Sequence, residues 1–133
     1  NLDSQRDWGH AKDYMDGVWS ILQQDKAEDY VLATGQSYSV RQFVEVAFSC
    51  IGRNIIWQGE GLDEKGIDRK TGKILVVIDS KLFRPTEIHN LLGDASKAKE
   101  ILNWKPKISF GDMVREMIDA DRISNAVERP YVA

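Results

Sequence analysis

One cysteine, three prolines, two histidines and no long apolar run narrow the possibilities for this 133-residue chain before any motif is considered. A lone Cys50 cannot form a disulfide within the chain, which fits a reducing compartment. It falls in an apolar helical pattern, where a small buried side chain is expected. His10 and His89 are far apart and belong to no metal-ligand spacing, so no zinc site is expected and each is read as a hydrogen-bonded or surface histidine. Apolar runs such as Ile74 to Ile78 are far shorter than the roughly 20 residues that cross a bilayer, which argues against a membrane partner. A formal net charge of −3 lacks the clustered basic surface that phosphate-driven affinity requires, which argues against a nucleic-acid partner. The local exception, "KGIDRKTGK" at Lys65 to Lys73, reads as a solvated turn between two strands. No predicted strand is followed by a Gly-rich phosphate loop, so the chain carries no dinucleotide-binding unit of its own.

What is present alternates between helix and strand signals. Ala11, Tyr14, Met15, Val18, Trp19 and Leu22 recur at helical spacing and predict an amphipathic helix ending near Gln24. "DYVLATG" reads as a short buried strand closed by Gly35. Ser39 and Gln42 form a capping-box signature ahead of the stripe Phe43, Val44, Ala47, Phe48 and Ile51, with Gly52 as the stop. "NIIWQG" predicts a strand. Gly66 to Arg69, the turn "KTG" and "KILVVID" predict a hairpin. Asp94 is expected to cap a short helix bearing Ala98, Ile101 and Leu102, which Pro106 keeps from continuing. A last helix is expected from about Ser109, with Met113, Val114, Met117 and Ile118 on one face, before "RISNAVERPYVA" loses periodicity. With no repeat or linker, residues 1–133 read as one domain of α/β or α+β class.

Two arginine-containing loops carry the chemistry. Arg6 in "RDWGHAKD" precedes a helix, and Arg84 in "FRPTE" follows the strand "KILVVID". Planar guanidinium groups converging from two loops can clamp a diphosphate, and Glu87 can accept from the two hydroxyls of a ribose. The plainer alternative pairs Arg6 with a local acid such as Asp7, and Arg84 with Asp79 or Glu87.

"NLDSQRDWGHAKDY", "EDYVLATGQSYSVRQFVE" and "FRPTEIHNLLGDASKAKEILNWKPKISFGDMVREMI" together resemble the C-terminal half of the GDP-mannose 4,6-dehydratase family, which belongs to the extended short-chain dehydrogenases/reductases. The likeness runs from Asn1 to about Asp121 with the motifs in the family's order. It implies an α/β fold of Rossmann type, here the mixed α/β substrate-binding lobe with the cofactor domain largely absent. It also implies a lyase, as the full-length enzyme, that converts GDP-mannose to GDP-4-dehydro-6-deoxy-mannose and water by internal hydride transfer through NADP. Arg6 and Arg84 resemble the arginines that hold the nucleotide diphosphate, and Glu87 the carboxylate that engages the ribose. Asp7 and Asp13 would orient the Arg6 loop, and Trp104 would close the last two helices together.

The family's Gly-rich loop, its Tyr-x-x-x-Lys pair and its active-site Thr and Glu lie upstream of the matched segment. Neither Tyr14 nor Tyr38 is followed by a lysine four residues on, so no catalytic, cofactor-binding or metal residue is assigned to this chain. Because Asn1 is no initiator, the chain is expected to be a piece of a longer, cytoplasmic enzyme. Its partners would be GDP-mannose, the N-terminal domain and further copies in a dimer or tetramer. Two other readings stay open: a non-catalytic nucleotide-sugar-binding domain, and a dehydratase or epimerase acting on another nucleotide sugar.

Overall fold

The computed structural model describes residues 1–82, 84 and 86–127. They form two three-stranded sheets with four helices. The first sheet has the order β2-β1-β6, from Ser37–Ser39 (β2), Gln5–Asp7 (β1) and Asn90–Leu91 (β6), with β1 antiparallel to β2 and parallel to β6. The second is an antiparallel meander of Ile55–Gln58 (β3), Lys65–Asp68 (β4) and Ile74–Val77 (β5). The expected strand and hairpin are thus present. Asp68 organises the hairpin turn, accepting from the Lys70 N–H, the Thr71 hydroxyl and Arg53 Nη1 at 2.9, 2.9 and 2.7 Å. The basic run therefore has a structural reason for its shape.

The helices are Ala11–Leu22 (α1), Val40–Cys50 (α2), Ser96–Leu102 (α3) and Phe110–Val127 (α4). At α2 the capping box forms as expected: Ser39 Oγ accepts the Gln42 N–H, and the Gln42 side chain accepts the Ser39 N–H. Gly52, at φ +73°, follows the helix in the left-handed conformation that a side chain disfavours. Cys50 is half-buried here rather than fully enclosed, because it lies in the last turn of the helix. Asp94 stands one residue outside the α3 cap, which is Ala95, and its carboxylate takes the Ser96 N–H and hydroxyl in a local turn. The final helix continues through Arg122 to Val127, past the point where its apolar periodicity fades; the rest of the expected tail lies outside the described residues.

Packing departs from the periodicity in three places. On α1 the buried residues are Asp13 and Gly17, whereas Met15, Val18, Trp19 and Leu22 are exposed. The polar side faces inward because Asp13 Oδ2 accepts the Lys107 and Ile108 N–H groups, and Gly17 lets Leu32 and Trp104 approach the helix. Trp104 accordingly anchors the segment after α3 onto α1 instead of joining α3 to α4; its Nε1–H donates to the Asp13 carbonyl. On α4, Met113 and Val114 are buried but Met117 is exposed. The segment Asp29–Gly35 pairs with no strand among the described residues: its Thr34 and Gly35 N–H groups go to the Asp7 carboxylate instead of a sheet neighbour. Among the described residues no helix is long and apolar enough to cross a membrane.

Candidate functional site

The short strand β1 is the scaffold of the site. Its parallel pairing with β6 sets Gln5 opposite Asn90 and Arg6 opposite Leu91. The residues just before β6 therefore lie along β1: the His89 carbonyl accepts the Gln5 N–H at 2.7 Å, the Ile88 carbonyl accepts from Arg6 Nη1 at 2.8 Å, and Glu87 forms an ion pair with Arg6 Nη2. Arg6 Nη1 also donates to the Gln5 carbonyl. Both ion-pair side chains are about three-quarters buried, at 24% and 22% exposure, so solvent screens this pair less than an ordinary surface one. Two of the three residues singled out for ligand binding are thus brought together by sheet register, although 81 residues separate them.

Asp7 does not pair with Arg6. Its Oδ1 accepts the Thr34 N–H and hydroxyl at 2.9 and 2.6 Å, and its Oδ2 accepts the Gly35 and Gly93 N–H groups at 3.0 and 3.3 Å. One carboxylate thereby fastens two loops beside Arg6. Asp13, by contrast, serves the 107–108 segment and not the Arg6 loop. The density of donors around Asp7 was not visible in the sequence, since Thr34, Gly35 and Gly93 are remote along the chain.

Beside the ion pair lies a hollow of about 350 Å³ lined by Arg6, Asp7, Tyr14, Val31, Leu91 and Leu92, among others. Val31, Leu91 and Leu92 are substantially exposed and make its rim apolar. Burial, with the Asp7 and Asp13 carboxylates adding to it, pushes the Tyr14 phenol above its ordinary value, so at neutral pH it is protonated and able to donate. Arg84 is exposed and makes no hydrogen bond or ion pair among the described residues, and neither expected partner takes it: Glu87 is on Arg6, and the Asp79 carboxylate accepts the Lys81 N–H. Phe83 and Pro85, which flank it in the expected loop, lie outside the described residues.

A second cavity of about 260 Å³ opens between Trp8, Tyr38 and the 106–110 segment. Its wall is aromatic: Tyr38 stacks on Phe110 at 4.1 Å, and Trp8 packs on Phe43 at 5.0 Å while its Nε1–H donates to the Tyr38 carbonyl. The two aromatic pairs join α2 and α4 to the first sheet, a role not apparent from the positions of these residues along the chain. Among the described residues no group of three or more His, Cys, Asp or Glu side chains is placed to hold a metal ion.

A family model described as GDP-mannose 4,6 dehydratase matches residues 1–117. The chain belongs to the GDP-mannose 4,6-dehydratase family. Over 121 residues it is 54% identical to the GDP-mannose 4,6 dehydratase of Cricetulus griseus, a match that takes 91% of this chain and 32% of that protein. The chain thus spans about a third of the length of that relative. Among solved structures it resembles RMD from Pseudomonas aeruginosa complexed with NADPH, with a TM-score of 0.69, 19% identity and coverage of 94% of this chain and 35% of the other. It also resembles dTDP-glucose 4,6-dehydratase from Bacillus anthracis str. Ames in complex with NAD, with a TM-score of 0.68, 16% identity and coverage of 95% and 34%. At such identities the likeness is one of fold, and it agrees with the α/β class expected from the sequence.

Proposed function

We propose that residues 1–133 are the GDP-sugar-binding lobe of a GDP-mannose 4,6-dehydratase, a cytoplasmic lyase forming GDP-4-dehydro-6-deoxy-mannose and water. The observation that supports it is the family match across residues 1–117 in a chain whose Arg6 and Glu87 meet beside an open hollow. In this reading Arg6 and Arg84 take the diphosphate and Glu87 lies at the ribose end. Bidentate guanidinium contacts suit phosphate oxygens, and the apolar rim of Val31, Leu91 and Leu92 limits competition from water.

The nicotinamide cofactor does not fit this chain's own residues, because the sequence holds no G-x-G-x-x-G or Walker-type phosphate loop, the glycines after β3 not matching either pattern, and no Tyr-x-x-x-Lys pair is present. We assign NADP to an N-terminal domain of the longer protein, in keeping with a chain that spans about a third of the relative's length. The exposed α1 stripe of Met15, Val18, Trp19 and Leu22 supports a covering partner, since large contiguous apolar surface is uncommon on free-standing domains. The full enzyme is taken to be a dimer or tetramer, and the isolated lobe to be without turnover.

Calorimetric titration tests the assignment. GDP-mannose should bind this chain in preference to UDP- and CDP-sugars, and Arg84→Ala should weaken GDP by about 2 kcal/mol, the scale for loss of a charged hydrogen-bonding partner. Equal affinity for all three sugar nucleotides, or dehydration of GDP-mannose by the pure chain, would refute it.

A further inference from the structure

We infer that His10 is a proton-driven switch at the start of α1: neutral, it caps the helix; protonated, it gives up the cap and pairs with Glu116 of α4. His10 stands at the N-cap in extended backbone conformation, and its Nδ1 accepts the Lys12 N–H at 3.0 Å. Its Nε2 lies 3.4 Å from Oε2 of Glu116. The ring is only 12% exposed, so little water is at hand to replace a lost partner. Ser, Thr, Asp and Asn are the usual caps, and none of them changes charge between about pH 5 and 8, the range in which imidazole does.

An accepting ring nitrogen carries no hydrogen. Capping through Nδ1 therefore requires the tautomer with its hydrogen on Nε2, the nitrogen that faces Glu116. Protonation adds a hydrogen to Nδ1, which then meets the Lys12 N–H donor to donor. It also sets a positive charge at the positive end of the helix dipole. Both effects expel the ring from the cap, while its new charge strengthens the attraction to Glu116. The charged groups that face the ring are Glu116 from α4 and Lys12 from α1. Lys12 Nζ sits 2.9 Å from Oε1 of Glu116, which leaves Oε2 for the ring. Hydrogen bonding to Lys12 foremost, with the charges of Lys12 and His10 adding to it, holds the Glu116 carboxyl below its ordinary value, so it is ionised throughout the range in which imidazole titrates. Asp13, the acidic residue of the first turn, is committed to the Lys107 and Ile108 N–H groups and keeps the rest of α1 in place. The change is thus confined to the cap. Only Trp8 and Gly9 stand between the end of β1 and His10, so the switch acts on the segment that leads out of the candidate site.

NMR of the parent chain, His10→Asn and His10→Ala tests this. At about pH 8 the 15N shifts of the His10 ring should show the Nε2–H tautomer, and the Nδ1–H tautomer overturns the capping role. The Lys12 amide is then followed down to about pH 5 through its solvent-exchange protection factor, in which the intrinsic pH dependence of exchange is divided out. In the parent, protection should fall about fivefold, the scale of a lost cap bond, in step with titration of the His10 ring. His10→Asn, which caps without titrating, should stay protected throughout, and His10→Ala should be unprotected at both ends. Protection that does not change while the ring titrates, or an equal loss in His10→Asn, overturns the switch. At the acid end the ring should keep its nuclear Overhauser contacts to the Glu116 side chain and lose those to the Lys12 amide; loss of both refutes the exchange of partners.

Discussion

The Trp104 indole donates a 2.8 Å hydrogen bond to the main-chain carbonyl of Asp13, while the Asp13 carboxylate accepts the N–H groups of Lys107 and Ile108 at 3.0 and 2.9 Å. The first turn of α1 and the segment that follows α3 are thereby joined by three bonds through a residue only 3% exposed. A charged side chain on the buried side of a helix is tolerable because every contact it makes there is a donor.

Asp13→Ala removes the acceptor for two main-chain N–H groups at once. Both bonds are part-buried, so each donor left without a partner costs less than the about 1–3 kcal/mol of a fully buried one, and the variant should lose roughly 1–3 kcal/mol of unfolding free energy. Urea denaturation followed by tryptophan fluorescence measures it. A loss below about 1 kcal/mol would mean that water replaces Asp13 and that the junction is not the anchor described.

Gly17→Ala reverses the usual sign for a helix. In an exposed helix interior this change stabilises by about 1 kcal/mol. Here an added Cβ would lie 2.7 Å from a Leu32 methyl and 2.9 Å from Trp104 Nε1. Those side chains must move, and overpacking of this kind costs roughly 1–3 kcal/mol. The thermal midpoint should fall; a rise would show that the 104–108 segment yields easily.

How far the sequence announced this structure depends on whether a signal was local. The capping box of α2, the Gly52 stop and the β4–β5 hairpin turn each involve residues within a few positions of one another, and all three formed as read. The apolar stripe of α1 correctly marked a helix but not the side that this chain buries, because periodicity reports amphipathicity and is blind to what is packed opposite. The segment at 29–35 has a strand's composition, yet the Asp7 carboxylate takes the N–H groups that a ladder would have used. Arg6 and Glu87 were singled out as separate candidates, but their contact follows from the pairing of β1 with β6 across most of the chain, which no spacing rule encodes. Arg84 was singled out by its loop after the strand "KILVVID", and the fold leaves its side chain exposed, which the sequence did not indicate.

Ser39 offers a local test on the other side of the first sheet. Its hydroxyl accepts the Gln42 N–H at 3.1 Å and Gln42 returns a bond to the Ser39 N–H at 2.8 Å. Ser39→Ala should cost about 1 kcal/mol, and Ser39→Asp should restore most of it by capping the same N–H. Chemical denaturation of the three proteins decides this; equal stability of parent and Ser39→Ala would show that the box contributes nothing measurable.

Asp68 contributes to the acid limb of stability. Three groups hold its carboxyl below the usual carboxylate range: the Lys70 N–H foremost, then the Thr71 hydroxyl, with the Arg53 guanidinium adding to both. A carboxyl whose folded-state pKa lies below its unfolded value, about 3.9, contributes its stabilisation above that unfolded value and loses it as pH falls through the folded one. The difference in thermal midpoint between parent and Asp68→Asn should therefore be fully developed by about pH 5 and close as the solution approaches pH 2. Salt should shrink it only in part, because two of the three donors are uncharged and Asp68 itself is buried. Melting curves at fixed ionic strength across that range test this directly. A gap that stays constant from pH 5 to pH 2 would show that ionisation of the Asp68 carboxyl is not the source of the difference.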